Sequence, residues 1–119
     1  MTRLRLWGPA ILWMAILFYA SAQAQTGSLG QVPDWITHGA AYLVLGLLLG
    51  RALAGGLDRP LPPRLALLAL LLGTLYGVSD EFHQSLVPGR DASAWDVAKD
   101  VAGCSLAVAL HVLRTRRDV

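Results

Sequence analysis

The sequence predicts an all-α fold, an integral membrane bundle of four transmembrane helices in up-down order. Hydrophobic residues make up 55% of the 119 positions and charged residues only 15%, whereas roughly a quarter of the residues of an average soluble domain are charged. Apolar runs recur along the whole chain, with short polar breaks between them. A chain this short has too little polar surface to cover so much apolar surface in water. We therefore expect residues 1–119 to form one domain within a bilayer.

The first predicted helix covers residues 6–22 and follows Arg3 and Arg5. Its apolar stretch is near the lower limit of what spans a hydrocarbon core of roughly 30 Å. The basic start, the apolar middle and the A-x-A ending within residues 20–24 are also typical of a cleaved secretory signal peptide. From the sequence, this segment is therefore either a membrane span or a signal peptide.

The second predicted helix covers residues 35–53, with its polar residues in the opening turns. Asp34, His38 and Tyr42 are spaced four residues apart, so a helix aligns them on one stripe. Gly46 and Gly50 continue this stripe, and small residues at that spacing favour a close contact between helices. Because two copies of the chain can pair through such a surface, a homo-oligomer is one partner hypothesis.

The third and fourth predicted helices cover residues 65–84 and 94–113. Glycines and prolines within residues 54–64 predict the loop before the third helix, and Pro88 with Gly89 predicts the turn after it. Ser93 and Asp96 resemble a capping box at the start of the fourth helix, with Asp where Glu or Gln is usual. We expect His111, near the basic tail, to lie at the membrane interface.

The basic residues predict a cytoplasmic location for both termini, in a multi-pass protein of the cytoplasmic (inner) membrane. With four spans, most Lys and Arg residues fall on the cytoplasmic side, as the positive-inside rule requires. Those residues are Arg3, Arg5, Arg51, Arg59, Arg64, Arg114, Arg116 and Arg117. Arg90 and Lys99 fall on the other side, together with most of the acidic residues.

Alternating helix direction brings the polar ends of the second, third and fourth helices to the same extracytoplasmic face. A charge at membrane depth costs about 2.5 to 3.5 kcal/mol or more, so these residues favour a shared polar pocket. The candidate catalytic residues are Asp34, His38, Asp80, Glu81, Gln84, Asp96 and Asp100. The candidate substrate-binding residues are Arg90, Tyr42 and His83.

Each candidate role has a structural alternative. Asp34, one turn before His38, can orient the imidazole as a proton carrier, or the two residues form a local polar pair at a helix entrance. Arg90 can clamp a phosphate or carboxylate with paired donors, or it pairs with Asp91 or Asp96. Asp96 is alternatively only a capping residue.

Membrane lipid is an expected partner, whereas nucleic acid is not. The basic residues flank apolar segments and do not form a stripe with interleaved aromatic residues. Two adjacent carboxylates of the third helix, together with two histidines, can bind a divalent metal in principle, with ligands from three helices. However, the chain lacks His-x-x-x-His and any Cys-His spacing, so we predict no metal and no cofactor.

The most specific pattern in the chain is SDEFHQSLVPGRDASAWDVAKDVAG, residues 79–103. It resembles the pattern of the VanZ-like family, D-E-x-x-Q, then P-G-R, then S-x-x-D-x-x-x-N/D-x-x-G. The spacing of Asp34, His38 and Tyr42 is similar to the second-helix motif of that family, and residues 18–23 resemble the Tyr-Ser-x-Gln ending of its first helix. These small bacterial multi-pass membrane proteins are named after an accessory factor of glycopeptide-antibiotic resistance. The resemblance therefore implies the same fold and a location in a bacterial envelope.

Three positions depart from the family pattern. Trp35 stands where Lys is common, Gly39 where an aromatic residue is frequent and Asp100 where Asn is frequent. A missing base and an added acid make the expected site more negative than usual.

The resemblance implies no particular reaction and leaves open whether the chain is an enzyme. Our first hypothesis is an envelope protein that binds or acts on a lipid-linked or cell-wall-related anionic ligand, in a glycopeptide-resistance role, with Arg90 as clamp and His38 or Glu81 as proton carrier. The alternatives are a non-catalytic binding or structural protein and a small proton-coupled transporter.

Overall fold

The structure is a computed structural model, and the residues that it describes form four α-helices. It describes residues 2–22, 34–89 and 92–116, without the side chain of Asp34. These residues contain no β-strand, so the predicted all-α fold is confirmed. The helices are α1 (Arg3–Ser21), α2 (Asp34–Ala54), α3 (Pro63–Ser85) and α4 (Ala94–Arg116).

Helices α1, α2 and α3 are each long and apolar enough to cross a membrane. Helix α4 has 23 residues, and at about 1.5 Å per residue it also exceeds the roughly 30 Å of a hydrocarbon core. Its acidic and basic residues are confined to its first two turns and its last turn. The chain is therefore a multi-pass membrane bundle of four helices, as predicted.

The first residues of α1 and α3 are favourable for starting a helix. Thr2 caps α1, since its hydroxyl accepts the N–H of Arg5 at 3.3 Å, which satisfies a backbone group that has no partner inside the helix. Helix α3 begins at Pro63, a favourable first position because proline has no N–H to satisfy. Both helices therefore start two or three residues earlier than the sequence pattern indicated.

Contacts between the helices establish the up-down order. The Trp13 indole of α1 donates to the carbonyl of Ala41 in α2 at 2.9 Å, and Arg51 at the end of α2 donates to the carbonyl of Arg5 at the start of α1. Helices α1 and α2 are thus antiparallel. We call the face where α1 and α3 end and α2 and α4 begin the acidic face, and the opposite face the basic face.

The parallel helices α2 and α4 make the most extensive contact in the bundle. A Cβ at Gly46 would lie 2.7 Å from the Cβ of Ala107, and a Cβ at Gly103 would collide with the carbonyl of Gly39. Only glycine allows the backbones to come this close. Gly46 and Gly50 are buried within the chain by this contact, so they do not supply the surface that suggested a homo-oligomer.

Helix α1 is an integral part of the bundle. The hydroxyl of Tyr76 in α3 donates to the carbonyl of Met14, and Ser21 is buried against α3. These contacts favour the membrane span over the signal peptide for this segment.

His111 packs inside the bundle, and its predicted depth at the membrane interface stays a prediction. The residue is buried, and its Nε2 lies 2.9 Å from the carbonyl oxygen of Arg59. A Cβ at Gly50 would lie 2.7 Å from Nδ1 of His111. The glycine therefore leaves room for this imidazole between α2 and α4.

Candidate functional site

A histidine of α2 and an aspartate of α4 form the closest polar pair at the acidic face. The Nδ1 of His38 lies 2.7 Å from Oδ1 of Asp100, and Asp100 is only 1% exposed. The carboxylate accepts a hydrogen bond from the Nδ1–H group and so fixes the orientation of the ring. The contact between Gly103 and Gly39, about one turn away, holds the two helices close enough for this pair to form.

A second pair joins α2 to α3. The hydroxyl of Tyr42 donates to Oδ2 of Asp80 at 3.0 Å, and both side chains are buried. Asp100 reaches the same region, because its Oδ2 would lie 3.3 Å from a Cβ placed at Gly77, one turn before Asp80. Asp80 of α3 and Asp100 of α4 therefore lie in the same region, where Tyr42 contacts Asp80 and His38 contacts Asp100.

The third carboxyl group, that of Glu81, holds the start of α4. Its Oε1 accepts the backbone N–H of Ser93, and its carboxyl group is close enough to that of Asp96 for the two to interact electrostatically. In a capping box the residue three positions into the helix would accept this N–H. The predicted box of Ser93 and Asp96 is thus wrong, since Glu81 of the preceding helix takes the place expected for Asp96.

Asp96 instead pairs with Lys99, whose Nζ lies 3.2 Å from Oδ1 of the aspartate. Asp96 is buried, while the Lys99 side chain stays partly exposed. Lys99 thus offsets one acidic charge at the rim of the cluster. We call Asp80, Glu81, Asp96 and Asp100 the carboxylate cluster.

Three buried oxygens of this cluster have no hydrogen-bond partner among the described residues. They are Oδ1 of Asp80, Oε2 of Glu81 and Oδ2 of Asp100. A buried acceptor without a donor costs roughly 1 to 3 kcal/mol, more if it is charged, and such groups in native proteins require an explanation. Chemically, the cluster is able to accept hydrogen bonds from a bound molecule that brings N–H or O–H groups.

The other two predicted residues of α3 are Gln84 and His83. Gln84 is buried one turn after Asp80. The Nδ1 of His83 lies 2.9 Å from the hydroxyl of Ser21, and its ring stacks on Phe18 with centroids 4.0 Å apart. His83 therefore connects α3 to α1, while the carboxylate cluster lies among α2, α3 and α4.

Two predicted residues cannot be placed in the cluster. Arg90 lies outside the described residues, and Asp34 begins α2 with a side chain that is not described. Among the described residues, no three His, Cys, Asp or Glu side chains are arranged to hold a metal ion.

Sequence patterns missed three contributors to this face. Ser21 binds His83, Ser93 binds Glu81 through its backbone, and Gly77 leaves room for Asp100. The spacing of Gly73 and Gly77 in α3 is a small-residue signal of the same kind as that of Gly46 and Gly50. For Ser21 and Ser93, only the approach of a second helix reveals the contact.

The chain matches the VanZ/LLP1 family over residues 6–115, from α1 almost to the end of α4. Neither a curated protein nor a solved structure gives a significant match. The family match includes both sequence patterns that build the carboxylate cluster and its partners in α2, and it confirms the resemblance predicted from them. On this evidence, the chain belongs to the VanZ/LLP1 family.

Proposed function

We propose that this protein binds the polar head group of a lipid-linked or cell-wall-related ligand at the acidic face. The observation that carries the proposal is the set of three buried carboxyl oxygens that have no donor among residues 2–22, 34–89 and 92–116. Retaining such groups without a ligand is unfavourable. Hydroxyl, amide or ammonium groups of a sugar or peptide head group are the donors that would satisfy them.

The charge of the cluster limits how an anionic ligand can bind. Four carboxyl groups face two potential cations, His38 and Lys99, in the described part of the site. A phosphate placed among these carboxyl groups would be repelled. In our proposal the carboxylate cluster therefore takes the donor groups of the ligand, and Arg90 pairs with its phosphate or carboxylate through paired N–H donors.

If binding leads to a reaction, His38 is the proton carrier that the geometry favours. Asp100 orients its imidazole at 2.7 Å, the arrangement in which a carboxylate positions a histidine for proton transfer. Glu81 is less suited, because one of its oxygens already holds the N–H of Ser93. Catalysis is thus an extension of the binding proposal.

The direct test is a titration of the full-length protein in lipid nanodiscs with a fluorescent lipid-linked cell-wall precursor. We expect saturable binding that Asp80→Asn and Arg90→Gln each weaken by about tenfold or more, as the loss of a hydrogen bond to a charged group predicts. Asp58→Asn is the matched control, because it removes an exposed carboxylate from the basic face. Absence of saturable binding, or equal loss in Asp58→Asn, would refute the proposal.

Chromatography of the same mixture separates binding from catalysis. A new product that disappears in His38→Gln, with binding retained, supports the enzymatic extension. An unchanged precursor supports a binding protein.

A role in resistance to glycopeptide antibiotics is a further part of the proposal. Expression of the chain in a susceptible bacterium should raise the glycopeptide concentration that the cells tolerate, and Asp80→Asn should remove the gain. Equal membrane levels of both proteins are required for the comparison. Equal tolerance with and without the chain would contradict this role.

A further inference from the structure

A second concave surface lies at the basic face, at the opposite end of the bundle from the carboxylate cluster. It is a groove of about 490 Å³ between the start of α3 and the end of α4. This volume is in the range of roughly 300 to 1,000 Å³ that is typical of small-molecule sites. The groove is independent of the function proposed above.

The groove is a built feature of the fold. The buried Leu61 lies at its base within a Pro-Leu-Pro-Pro segment, and proline restricts the backbone of such a segment. The bond between His111 Nε2 and the Arg59 carbonyl ties this segment to α4. Ala66 lines the wall formed by α3, and its small side chain leaves the space open.

The lining combines an apolar wall with a cation at its end. Leu67, Leu70 and Val112 line the groove, and Arg116 lies at its α4 end. Leu67 is 68% exposed, so the groove opens sideways, toward the lipid in a membrane. From Pro63 to Leu70 the wall extends about 10 Å along the helix axis, well into one leaflet of a core roughly 30 Å thick.

The charges around the groove favour an anionic head group. The exposed Arg64 lies in the first turn of α3, and the exposed Arg116 in the last turn of α4. Within residues 2–22, 34–89 and 92–116, neither guanidinium forms an ion pair. Basic pockets between transmembrane helices are suited to anionic lipids.

We propose that this groove binds an anionic phospholipid, with an acyl chain against Ala66, Leu67 and Leu70 and the phosphate at Arg116. The acyl chain fills the apolar wall, and the guanidinium pairs with phosphate through two N–H donors. The lipid lies at the junction of α3 and α4.

The test uses delipidated full-length protein and native mass spectrometry with added phosphatidylglycerol. We expect bound phosphatidylglycerol with a higher apparent affinity than phosphatidylcholine. In Arg116→Gln this affinity should fall about fivefold, because one arginine near an anionic lipid increases the binding affinity by about that factor. Arg114→Gln is the matched control, since Arg114 is exposed at the same face but does not line the groove. Equal binding of both lipids, or equal loss in the two arginine variants, overturns the proposal.

A second pair of variants tests the acyl chain. Ala66→Phe fills the groove and should abolish preferential binding of phosphatidylglycerol, whereas Ala109→Phe, at an exposed position of α4 outside the groove, should retain it. The Arg116→Gln result decides the case if Ala66→Phe fails to fold. Inorganic phosphate alone should not compete for the site. Full competition by phosphate, or retained preference in a folded Ala66→Phe protein, would mean that the chain does not occupy the groove.

Discussion

His38 Nδ1 and Asp100 Oδ1 lie 2.7 Å apart between two parallel helices, and this pair connects the packing of the bundle to its candidate site. The pair depends on the close approach of α2 and α4, which requires glycine at position 103 beside the Gly39 carbonyl. Asp100 is buried at this contact. Packing and site geometry should therefore respond together to substitutions along this contact.

The His38–Asp100 pair should show measurable energetic coupling. In a double-mutant cycle with His38→Gln and Asp100→Asn, we expect a coupling energy of about 1 to 2 kcal/mol, near the upper end for hydrogen bonds within membrane proteins. Reversible unfolding in mixed detergent measures the four proteins. The pair of Asp96 and Lys99, whose lysine is more exposed, is the control and should give less than about 1 kcal/mol. Equal coupling energies for the two pairs would contradict the prediction that His38 and Asp100 interact more strongly than Asp96 and Lys99.

Two glycines of the same helix contact should respond in opposite ways to alanine. Gly103→Ala forces its Cβ into the backbone of α2, so we expect a loss of about 1 to 3 kcal/mol in the free energy of unfolding. Gly39→Ala meets nothing within 4 Å and should be neutral or stabilise by up to about 1 kcal/mol, because alanine is the better helix former. The same unfolding assay compares them, and a stable Gly103→Ala protein would show that the helices are not this close.

Removing the hydroxyl of Tyr42 should destabilise the protein and weaken the site. Tyr42→Phe leaves Asp80 without the donor to Oδ2, while Oδ1 has no donor in the described part of the chain, so we expect a loss of about 1 to 3 kcal/mol. Tyr76→Phe is the control, because that hydroxyl donates to the carbonyl of Met14, outside the carboxylate cluster. We expect ligand binding to fall in Tyr42→Phe alone, measured in nanodiscs. A parallel loss in both variants would indicate a purely structural role.

The two faces should be accessible from opposite sides of the membrane. Cys104 is the only cysteine and is buried, so Cys104→Ala provides the background for single cysteines at the exposed Ala92 and Asp58. We expect an impermeant maleimide to label Ala92→Cys in intact cells and Asp58→Cys only after permeabilisation, as cytoplasmic termini require. The reverse labelling pattern would mean that the acidic face is on the cytoplasmic side of the membrane.

The sequence by itself determined the membrane fold. Four apolar segments separated by Gly and Pro breaks leave few alternatives, because backbone groups in lipid must be satisfied inside each segment. The spacing of Asp34, His38 and Tyr42 and the residues 80–100 also indicated which helix ends carry the polar residues. That much follows from periodicity and from the cost of charge in lipid.

Only the tertiary structure decided which of these residues are partners. His38 meets Asp100, Glu81 meets the backbone of Ser93, and His83 meets Ser21 on a different side of α3. The sequence pattern of one helix gives the direction in which each of its side chains points. It gives neither the rotation of the neighbouring helix about its axis nor the distance between the two helices. Both are set by glycine contacts between helices far apart in the chain, so hydrogen-bond partners had to come from the folded bundle.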